Sequence, residues 1–154
     1  MISFSVAFDK NKGIGIDGHL PWHIKEELQL FKKNTFHKNI IMGQTTYQNL
    51  PQKLKERKIY LVTREKNKVF DDVIVIDNLE EFLLKHQNEQ EEYIVCGGAS
   101  IYRQAYSYCQ VAYVSVVNGE YNVDTYFDAF DFRDWMIKEK EVFEKFTYYK
   151  LERK

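Results

Sequence analysis

Apolar runs of strand length recur along this chain, and helical patterns lie between several of them. The runs are Ile2–Phe8, Asn39–Met42, Lys58–Val62, Val73–Ile76, Tyr93–Cys96 and Val111–Val117. Helices are predicted over Glu26–Thr35 and Asn78–His86, the second with Asn78 as a cap three residues before Glu81. Strands that alternate with helices predict an α/β fold whose sheet is largely parallel.

The C-terminal part of the chain follows a different pattern. Two further strand-like runs, Trp135–Phe143 and Phe146–Glu152, are separated only by Glu144-Lys145. A connection this short joins antiparallel strands, because parallel strands need a long crossover. The sheet is therefore predicted to be mixed, with an antiparallel hairpin at its C-terminal end. The acidic run Glu89–Glu92 is predicted to be a solvated loop.

Length and composition indicate one ordinary globular domain over residues 1–154. Of the 154 residues, 44% are hydrophobic and 29% are charged. A net charge of −1 gives no electrostatic footprint for nucleic acid or an anionic membrane surface. Two cysteines, Cys96 and Cys109, are too few for a disulfide framework and are not spaced for zinc. We therefore expect no metal site, no nucleic-acid or membrane partner, and a cytoplasmic location.

Two predicted strands run directly into glycine and then into a predicted helix, within Ile40–Thr46 and Tyr93–Tyr102. Glycine permits a tight turn, and the first amides of a helix lack intrahelical partners, so such a turn can hold an anion. Taken alone, a turn of this kind more often has no ligand, whereas two in one chain indicate a ligand with several phosphates. Neither turn fits the three-glycine dinucleotide pattern or the phosphate loop that ends in Gly-Lys.

A third strand, Lys58–Val62, ends at Thr63-Arg64. A hydroxyl beside a guanidinium can hold one more phosphate. The alternative is a basic, solvated loop, which these residues alone favour.

Glu27 lies on the apolar side of the first predicted helix. On a wheel of about 100° per residue, its apolar neighbours fall between roughly −60° and 100° of it: Ile24, Leu28, Leu30 and Phe31. A carboxylate directed at the core is costly unless something binds it. Glu27 is either a buried acid with a shifted pKa that grips a donor-rich ligand, or an early-turn glutamate that bends out to water.

A glycine-rich stretch, Gly13–Trp22, precedes this helix and ends in Leu20-Pro21-Trp22. We call residues 13–22 the lid segment. A mobile loop beside a buried acid suits a lid that excludes water. An ordinary surface connection with a buried tryptophan has the same composition.

These stretches resemble dihydrofolate reductases in their order and spacing along essentially the whole chain. The matching residues are Gly13-Ile14-Gly15, Leu20-Pro21-Trp22, Glu27-Leu28, Phe31, Ile41-Met42-Gly43, Thr46, Leu54, Arg57, Gly97-Gly98, Tyr102 and Asp124-Thr125-Tyr126-Phe127. The resemblance implies a mixed, mainly parallel eight-stranded sheet with about four flanking helices. It also implies a commonly monomeric antifolate target of one-carbon metabolism, which reduces 7,8-dihydrofolate to 5,6,7,8-tetrahydrofolate with NADPH.

On the substrate side, the resemblance makes Glu27 the catalytic acid, which pairs with the pterin and helps, through water, to protonate its ring nitrogen. Ser115 matches a hydroxyl that supports that acid, and Arg57 matches the arginine that grips the glutamate carboxylate of folate. Leu20 and Trp22 complete the implied catalytic set. The other implied substrate contacts are Val6, Ala7, Leu28, Phe31, Thr46, Leu50, Leu54, Cys96 and Tyr102.

On the cofactor side, the resemblance implies that the two glycine turns hold a pyrophosphate, with a cis peptide between Gly97 and Gly98. Thr63 and Arg64 match the site of the adenosine 2′-phosphate. The full implied set is Ala7, Ile14, Gly43, Gln44, Thr45, Thr46, Val62, Thr63, Arg64, Gly97, Gly98, Ala99, Ser100, Ile101, Tyr102 and Thr125.

Three positions depart from the usual pattern of that family. Gln44 stands where many members have a phosphate-binding arginine, so weaker NADPH binding is expected. Cys96 is interpreted as a small buried hydrophobic residue and not as a reactive thiol. Val123 replaces a small residue that touches the lid in some members, so the family's lid dynamics cannot be transferred.

Two other functions stay open at this point. A pyrimidine reductase of flavin synthesis would share the fold, but that group lacks the acid and arginine found here as Glu27 and Arg57. A non-catalytic folate- or nucleotide-binding protein would not need Glu27 beside the lid segment.

Overall fold

A computed structural model describes residues 1–15, 20–50, 54–65 and 72–154. The strands are β1 Ile2–Asp9, β2 Gly13–Gly15, β3 Asn39–Gly43, β4 Lys58–Val62, β5 Val73–Ile76, β6 Tyr93–Val95, β7 Cys109–Val117, β8 Thr125–Tyr126, β9 Trp135–Val142 and β10 Phe146–Arg153. The helices are α1 Lys25–Thr35, α2 Gln44–Gln48, α3 Leu79–His86 and α4 Ala99–Ala105. Single 3-10 turns lie at Tyr106–Tyr108 and Phe132–Asp134. No helix in these described ranges is long and apolar enough to cross a membrane.

Eight of the strands form one sheet in the order β5-β4-β3-β6-β1-β7-β10-β9. The strands from β5 to β7 pair in parallel, and β10 pairs antiparallel with both β7 and β9. The predicted mixed sheet with its antiparallel C-terminal hairpin is therefore confirmed. A separate antiparallel pair, β2 with β8, is not predicted by the sequence, because strands of three and two residues carry no periodic pattern.

The predicted boundaries of the elements lie close to the observed ones. The seventh strand begins at Cys109, two residues before the predicted start, and the ninth ends at Val142. The predicted cap of α3 is confirmed, since the side chain of Asn78 accepts a 3.0 Å hydrogen bond from the Glu81 amide.

The alternation of side chains along the strands builds a hydrophobic core on each face of the sheet. Even-numbered residues of β1, from Ile2 to Phe8, pack with Leu83 of α3 and Tyr102 of α4. Ala7 belongs to the opposite core, which contains Trp22 from the approach to α1. The sheet therefore separates α3 and α4 from the segment that carries Glu27.

The first helix departs from prediction in what its apolar side contacts. Within α1 only Thr35 is buried, whereas Leu28 is 37% exposed and Phe31 is partly exposed. Ile24, which precedes the helix, is buried, and Leu30 packs partly against the core. The apolar arc is therefore partly open to solvent for most of its width. A helical wheel identifies an apolar side but does not show whether that side is enclosed.

The acidic loop is the second departure. Glu89 to Glu91 are exposed as predicted, but the Glu92 side chain is only 8% exposed. Its carboxylate accepts hydrogen bonds of 2.8 Å from the hydroxyls of Ser3 and Tyr113, and it pairs with the Lys38 ammonium. The prediction of a solvated loop is wrong for Glu92, because partners far along the chain enclose it. We call Glu92 and its three partners, Ser3, Tyr113 and Lys38, the Glu92 corner.

Candidate active site

Glu27 lies in the first turn of α1 and is partly buried. Among the described residues, no side chain or backbone group donates a hydrogen bond to its carboxylate. Burial raises the pKa of Glu27 from 4.5 to about 7, because surroundings poor in water penalise the charged form. The side chain can therefore hold a proton near neutral pH, and its unpaired oxygens can accept hydrogen bonds from a ligand. The alternative of a glutamate that bends out to water is wrong.

Tyr102 and Cys96 lie near this carboxyl group. Burial raises the pKa of the Tyr102 hydroxyl, and Cys96 and Glu27 raise it further. That hydroxyl donates a 2.7 Å hydrogen bond to the backbone carbonyl of Ser5 in β1. Burial also raises the pKa of the Cys96 thiol, which supports its interpretation as an unreactive apolar residue.

Ser115 is buried in β7, in register with Ala7 of β1 and Tyr148 of β10. Alternate residues of a strand share a face, so Ser115 lies on the same face as Tyr113 and Val117, the face towards α1. The structure brings Ser115 to the correct side of the sheet. Within the described part of the chain, its hydroxyl makes no hydrogen bond to Glu27, so the supporting role stays a prediction.

Arg57 is fixed at the C-terminal end of α1. Its two terminal nitrogens donate 2.6 Å hydrogen bonds to the carbonyls of Lys32 and Lys55, and its Nε donates to the Thr35 hydroxyl at 3.2 Å. These bonds use one N–H on each nitrogen, which leaves one N–H on each terminal nitrogen for a carboxylate. Its guanidinium also lies 5.5 Å from the centre of the Phe36 ring.

The two ends of the lid segment are held differently. Gly13 and Gly15 pair with β8 opposite Tyr126 and Thr125. At the other end Leu20 is 53% exposed, while Trp22 is buried. The Trp22 indole nitrogen finds no hydrogen-bond partner within the described ranges. Positions 16–19 lie outside the described residues.

The two glycine turns lie side by side where β3 and β6 end. The Gly43 amide donates a 3.0 Å hydrogen bond to the Gly97 carbonyl, and a cis peptide joins Gly97 to Gly98, as the resemblance implies. A Cβ on Gly97, whose φ is +122°, would lie 3.2 Å from the Thr46 hydroxyl oxygen. No side chain caps α2 or α4. Both turns therefore present backbone amides in a space that glycine keeps open.

Thr63 lies beside these turns. It is buried just after β4, and its hydroxyl donates to the Gln44 side-chain carbonyl and accepts a 3.1 Å hydrogen bond from the Glu65 amide. Arg64, the next residue, is exposed. Phosphates accept hydrogen bonds from uncapped amides and from a guanidinium such as that of Arg64. This set fits the phosphates of a dinucleotide phosphate.

The model of the family described as "Dihydrofolate reductase" matches residues 1–153. This chain belongs to the dihydrofolate reductase family. The membership confirms the predicted fold and the predicted activity, the NADPH-dependent reduction of dihydrofolate. A pyrimidine reductase or a non-catalytic binding protein is not favoured.

Individual dihydrofolate reductases are similar over nearly the whole chain. That of Mycoplasma pneumoniae is 34% identical over 161 residues, which cover 99% of this chain and 100% of the relative. That of Bacillus subtilis is 35% identical over 141 residues, covering 92% and 83%. A solved structure of the Enterococcus faecalis enzyme complexed with NADP(H) and RAB-propyl superposes with a TM-score of 0.88 at 25% identity, covering 99% and 96%.

The remaining predicted residues of this dihydrofolate reductase differ in exposure. The buried ones are Val6, Ala7 and Ile101. The partly buried ones are Ile14, Thr46, Leu50, Leu54, Val62, Ala99 and Thr125, and the exposed ones are Thr45 and Ser100. Leu50 and Leu54 pack on the core that faces α1, whereas Ile14 and Val62 pack on the opposite core.

One candidate functional residue of the reductase, Asp9, is not singled out by the sequence pattern. It ends β1 and is 1% exposed, although it is charged. Its carboxylate accepts hydrogen bonds from three backbone amides at the base of the lid segment and in the β7–β8 connection. The available signal is an aspartate directly after a buried strand and four residues before Gly13.

Proposed function

We propose that this reductase uses Glu27 as the catalytic acid for dihydrofolate. One observation supports the assignment above the others: a carboxyl group on the apolar side of α1 with a pKa raised to about 7 by burial. A carboxyl group with that pKa is about half protonated at neutral pH, which suits proton delivery there. No described residue donates a hydrogen bond to it, so its oxygens stay available to the amino group and ring nitrogen of a pterin.

In the proposed reaction, Glu27 orients the pterin and holds a proton close to the ring nitrogen that must gain one. NADPH, when bound, supplies the hydride to the neighbouring carbon. The proton reaches the nitrogen through Glu27, directly or by an intervening water, so that one hydride and one proton together give tetrahydrofolate. Partial burial of Glu27 keeps the proton available, because a fully solvated glutamate would have lost it well below pH 7.

The substrate's other parts are assigned to the apolar surface beside α1. The apolar residues along it match the flat pterin and benzoyl groups: Leu28, Phe31, Leu50 and Leu54. The two free N–H groups of Arg57 suit the carboxylate of the substrate's glutamate, because a guanidinium binds a carboxylate through paired hydrogen bonds.

The cofactor is assigned to the glycine turns and the end of β4. The uncapped amides after Gly43 and Gly98 suit the pyrophosphate, and the exposed guanidinium of Arg64, next to Thr63, suits the 2′-phosphate. We also propose that the chain works as one monomeric, cytoplasmic domain over residues 1–154 and binds no nucleic acid. Size-exclusion chromatography with light scattering tests whether the protein is a monomer. A gel-shift assay tests whether it binds nucleic acid.

The decisive experiment is the loss of absorbance at 340 nm when purified protein is mixed with NADPH and dihydrofolate. Turnover that depends on both compounds is expected. Binding of NADPH without turnover would contradict the proposed reaction. If Arg57 binds the carboxylate, the KM for dihydrobiopterin, which lacks the benzoyl-glutamate, should be much higher than the KM for dihydrofolate.

Gln44→Arg tests the cofactor assignment. Gln44 shares a hydrogen bond with Thr63 at the proposed phosphate site, so an added guanidinium should tighten NADPH binding about five- to tenfold. Fluorescence titration measures the affinity. Gln48→Arg, which adds the same charge one turn later in α2, is the matched control and should change the affinity less than about twofold. Equal effects of both substitutions would contradict the assignment.

A further inference from the structure

The guanidinium of Arg57 is held along one edge by the last turn of α1. Its Nε donates a 3.2 Å hydrogen bond to the Thr35 hydroxyl, and one terminal nitrogen donates a 2.6 Å hydrogen bond to the Lys32 carbonyl. The other terminal nitrogen donates to the Lys55 carbonyl at 2.6 Å. These acceptors leave one N–H on each terminal nitrogen, and a carboxylate can accept from both.

Of these three acceptors, only Thr35 contributes a side chain. Thr35 is 0% exposed, and its hydroxyl donates a 2.8 Å hydrogen bond to the Phe31 carbonyl, one turn earlier in α1. A hydroxyl has one proton and two lone pairs, so donation to Phe31 leaves the lone pairs to accept from the Arg57 Nε. The direction of the guanidinium therefore depends on one buried hydroxyl in addition to the backbone.

Arg57 has no acidic partner in the part of the chain that the structure describes, residues 1–15, 20–50, 54–65 and 72–154. Glu56, its immediate neighbour, pairs with His37 at 3.6 Å instead. The Phe36 ring flanks the guanidinium, with its centre 5.5 Å from the central carbon. A partly buried guanidinium with two free N–H groups suits a carboxylate that comes from outside the chain.

We propose that Thr35 is a positioning residue for Arg57 and thereby sets the preference of this reductase for substrates that carry a carboxylate. The inference rests on the proposed binding of the substrate's glutamate by Arg57 and deepens that assignment. Without the hydroxyl, the Nε–H loses its acceptor at a buried position, and the guanidinium turns to find another. The two free N–H groups then lose their fixed direction, so the carboxylate is bound less tightly. The pterin, which is assigned to Glu27, is bound as before.

Thr35→Val tests the inference, because valine matches the shape of threonine and lacks the hydroxyl. Steady-state kinetics with dihydrofolate and with dihydrobiopterin, which has no carboxylate, separates carboxylate binding from the chemical step. The KM for dihydrofolate should rise about three- to tenfold, as expected for the loss of one hydrogen bond, while kcat stays within about twofold. Both constants for dihydrobiopterin should stay within about twofold. Thr35→Ser, which keeps the hydroxyl, should restore the KM for dihydrofolate.

Ser3→Ala is the matched control, since Ser3 is also 0% exposed and its hydroxyl donates a 2.8 Å hydrogen bond, but to Glu92 in the Glu92 corner. It should lower stability and leave the KM for both substrates unchanged. If Thr35→Val does not fold, the smaller Thr35→Ala takes its place in the same measurements.

Arg57→Lys shows whether Thr35 acts through the guanidinium. Lysine keeps the charge but lacks the paired N–H groups, so the KM for dihydrofolate should rise about tenfold or more. Adding Thr35→Val to Arg57→Lys should then raise this KM less than about twofold further, because the group that Thr35 positions is already absent.

The positioning role is overturned if Thr35→Val leaves the KM for dihydrofolate within about twofold of the unmodified value while Arg57→Lys raises it. It is also overturned if the KM for dihydrobiopterin rises equally, if Thr35→Ser does not restore the KM, or if Ser3→Ala raises it equally. Each of these results would indicate a general loss of structure. Absence of turnover in the unmodified protein, or an unchanged KM in Arg57→Lys, would contradict the proposed function itself and the inference with it, so the two failures are distinguishable.

Discussion

Two enclosed carboxylates, that of Glu27 and that of Glu92 in the Glu92 corner, have opposite surroundings. Glu92 accepts hydrogen bonds from two hydroxyls and pairs with an ammonium group. Glu27 receives no hydrogen bond from the described residues, and its pKa rises to about 7. Removal from water therefore leaves a carboxylate held by partners in one region and a carboxyl group with a raised pKa in the other, because the donors differ.

The same difference in donors explains why the two carboxylates should have different effects on the free energy of unfolding. A carboxylate with three donors contributes to stability, since removing it leaves those donors unsatisfied. A carboxylate without donors lowers stability wherever it is charged, and natural enzymes keep such groups where function requires them. Five predictions test this contrast.

Glu27→Gln should have the largest effect. It removes the proton donor but keeps the shape, so kcat with dihydrofolate at pH 7 should fall about 10²- to 10³-fold, or about 3–4 kcal/mol. NADPH affinity should not change. Steady-state kinetics and fluorescence titration measure the two effects. Glu26→Gln, on the exposed neighbour, is the control and should keep normal turnover.

Glu92→Gln should show the reverse pattern. It weakens the acceptor of Ser3, Tyr113 and Lys38 and leaves the ammonium without its partner. The free energy of unfolding should fall by about 2–4 kcal/mol, measured by urea denaturation. Turnover should stay normal. Glu139→Gln, on the exposed strand β9, should change stability by less than about 0.5 kcal/mol. A normal stability of Glu92→Gln would break the contrast.

The raised pKa of Glu27 should also make the reaction depend on pH. The acid form of Glu27 is needed, so the rate constant of hydride transfer should fall about tenfold per pH unit above about 7. Single-turnover kinetics across pH 5–9 measures it. A profile that is flat through pH 8 would remove Glu27 from proton delivery.

The same titration affects stability with a defined sign. Between pH 4.5 and about 7 the folded protein binds more protons at Glu27 than the unfolded chain does. Its favourable contribution is complete below pH 4.5 and is lost as pH rises through about 7. Glu27→Gln should therefore raise the free energy of unfolding at pH 8, by on the order of 1–2 kcal/mol because Glu27 is only partly buried.

Ser115→Ala should have the smallest effect. If its buried hydroxyl supports Glu27 once substrate is bound, kcat should fall about two- to fivefold with little change in stability. Ser107→Ala, at an exposed position before β7, is the control. Equal kinetics for both variants would leave Glu27 without a supporting hydroxyl.

Much of the architecture is readable from local patterns. Apolar runs and caps predict the strands and helices, because side-chain period and the first amides of a helix are properties of short segments. The Glu144-Lys145 connection alone predicts an antiparallel hairpin, and the two glycine turns mark the proposed phosphate region. The family's motifs supply the roles that these patterns leave open.

The sequence by itself determined the order of strands and helices, the position of Glu27 on an apolar side, and the glycines that keep the turns open. Only the tertiary structure decided that this apolar side is partly open to solvent, that Glu92 is enclosed, and that Asp9 joins two loops. Each of the last two depends on partners far along the chain, with separations of 89 residues for Ser3 to Glu92 and 112 for Asp9 to Tyr121. Periodicity reports the neighbours of a residue within one element. Whether a carboxylate receives donors depends on which distant segments the folded sheet brings beside it.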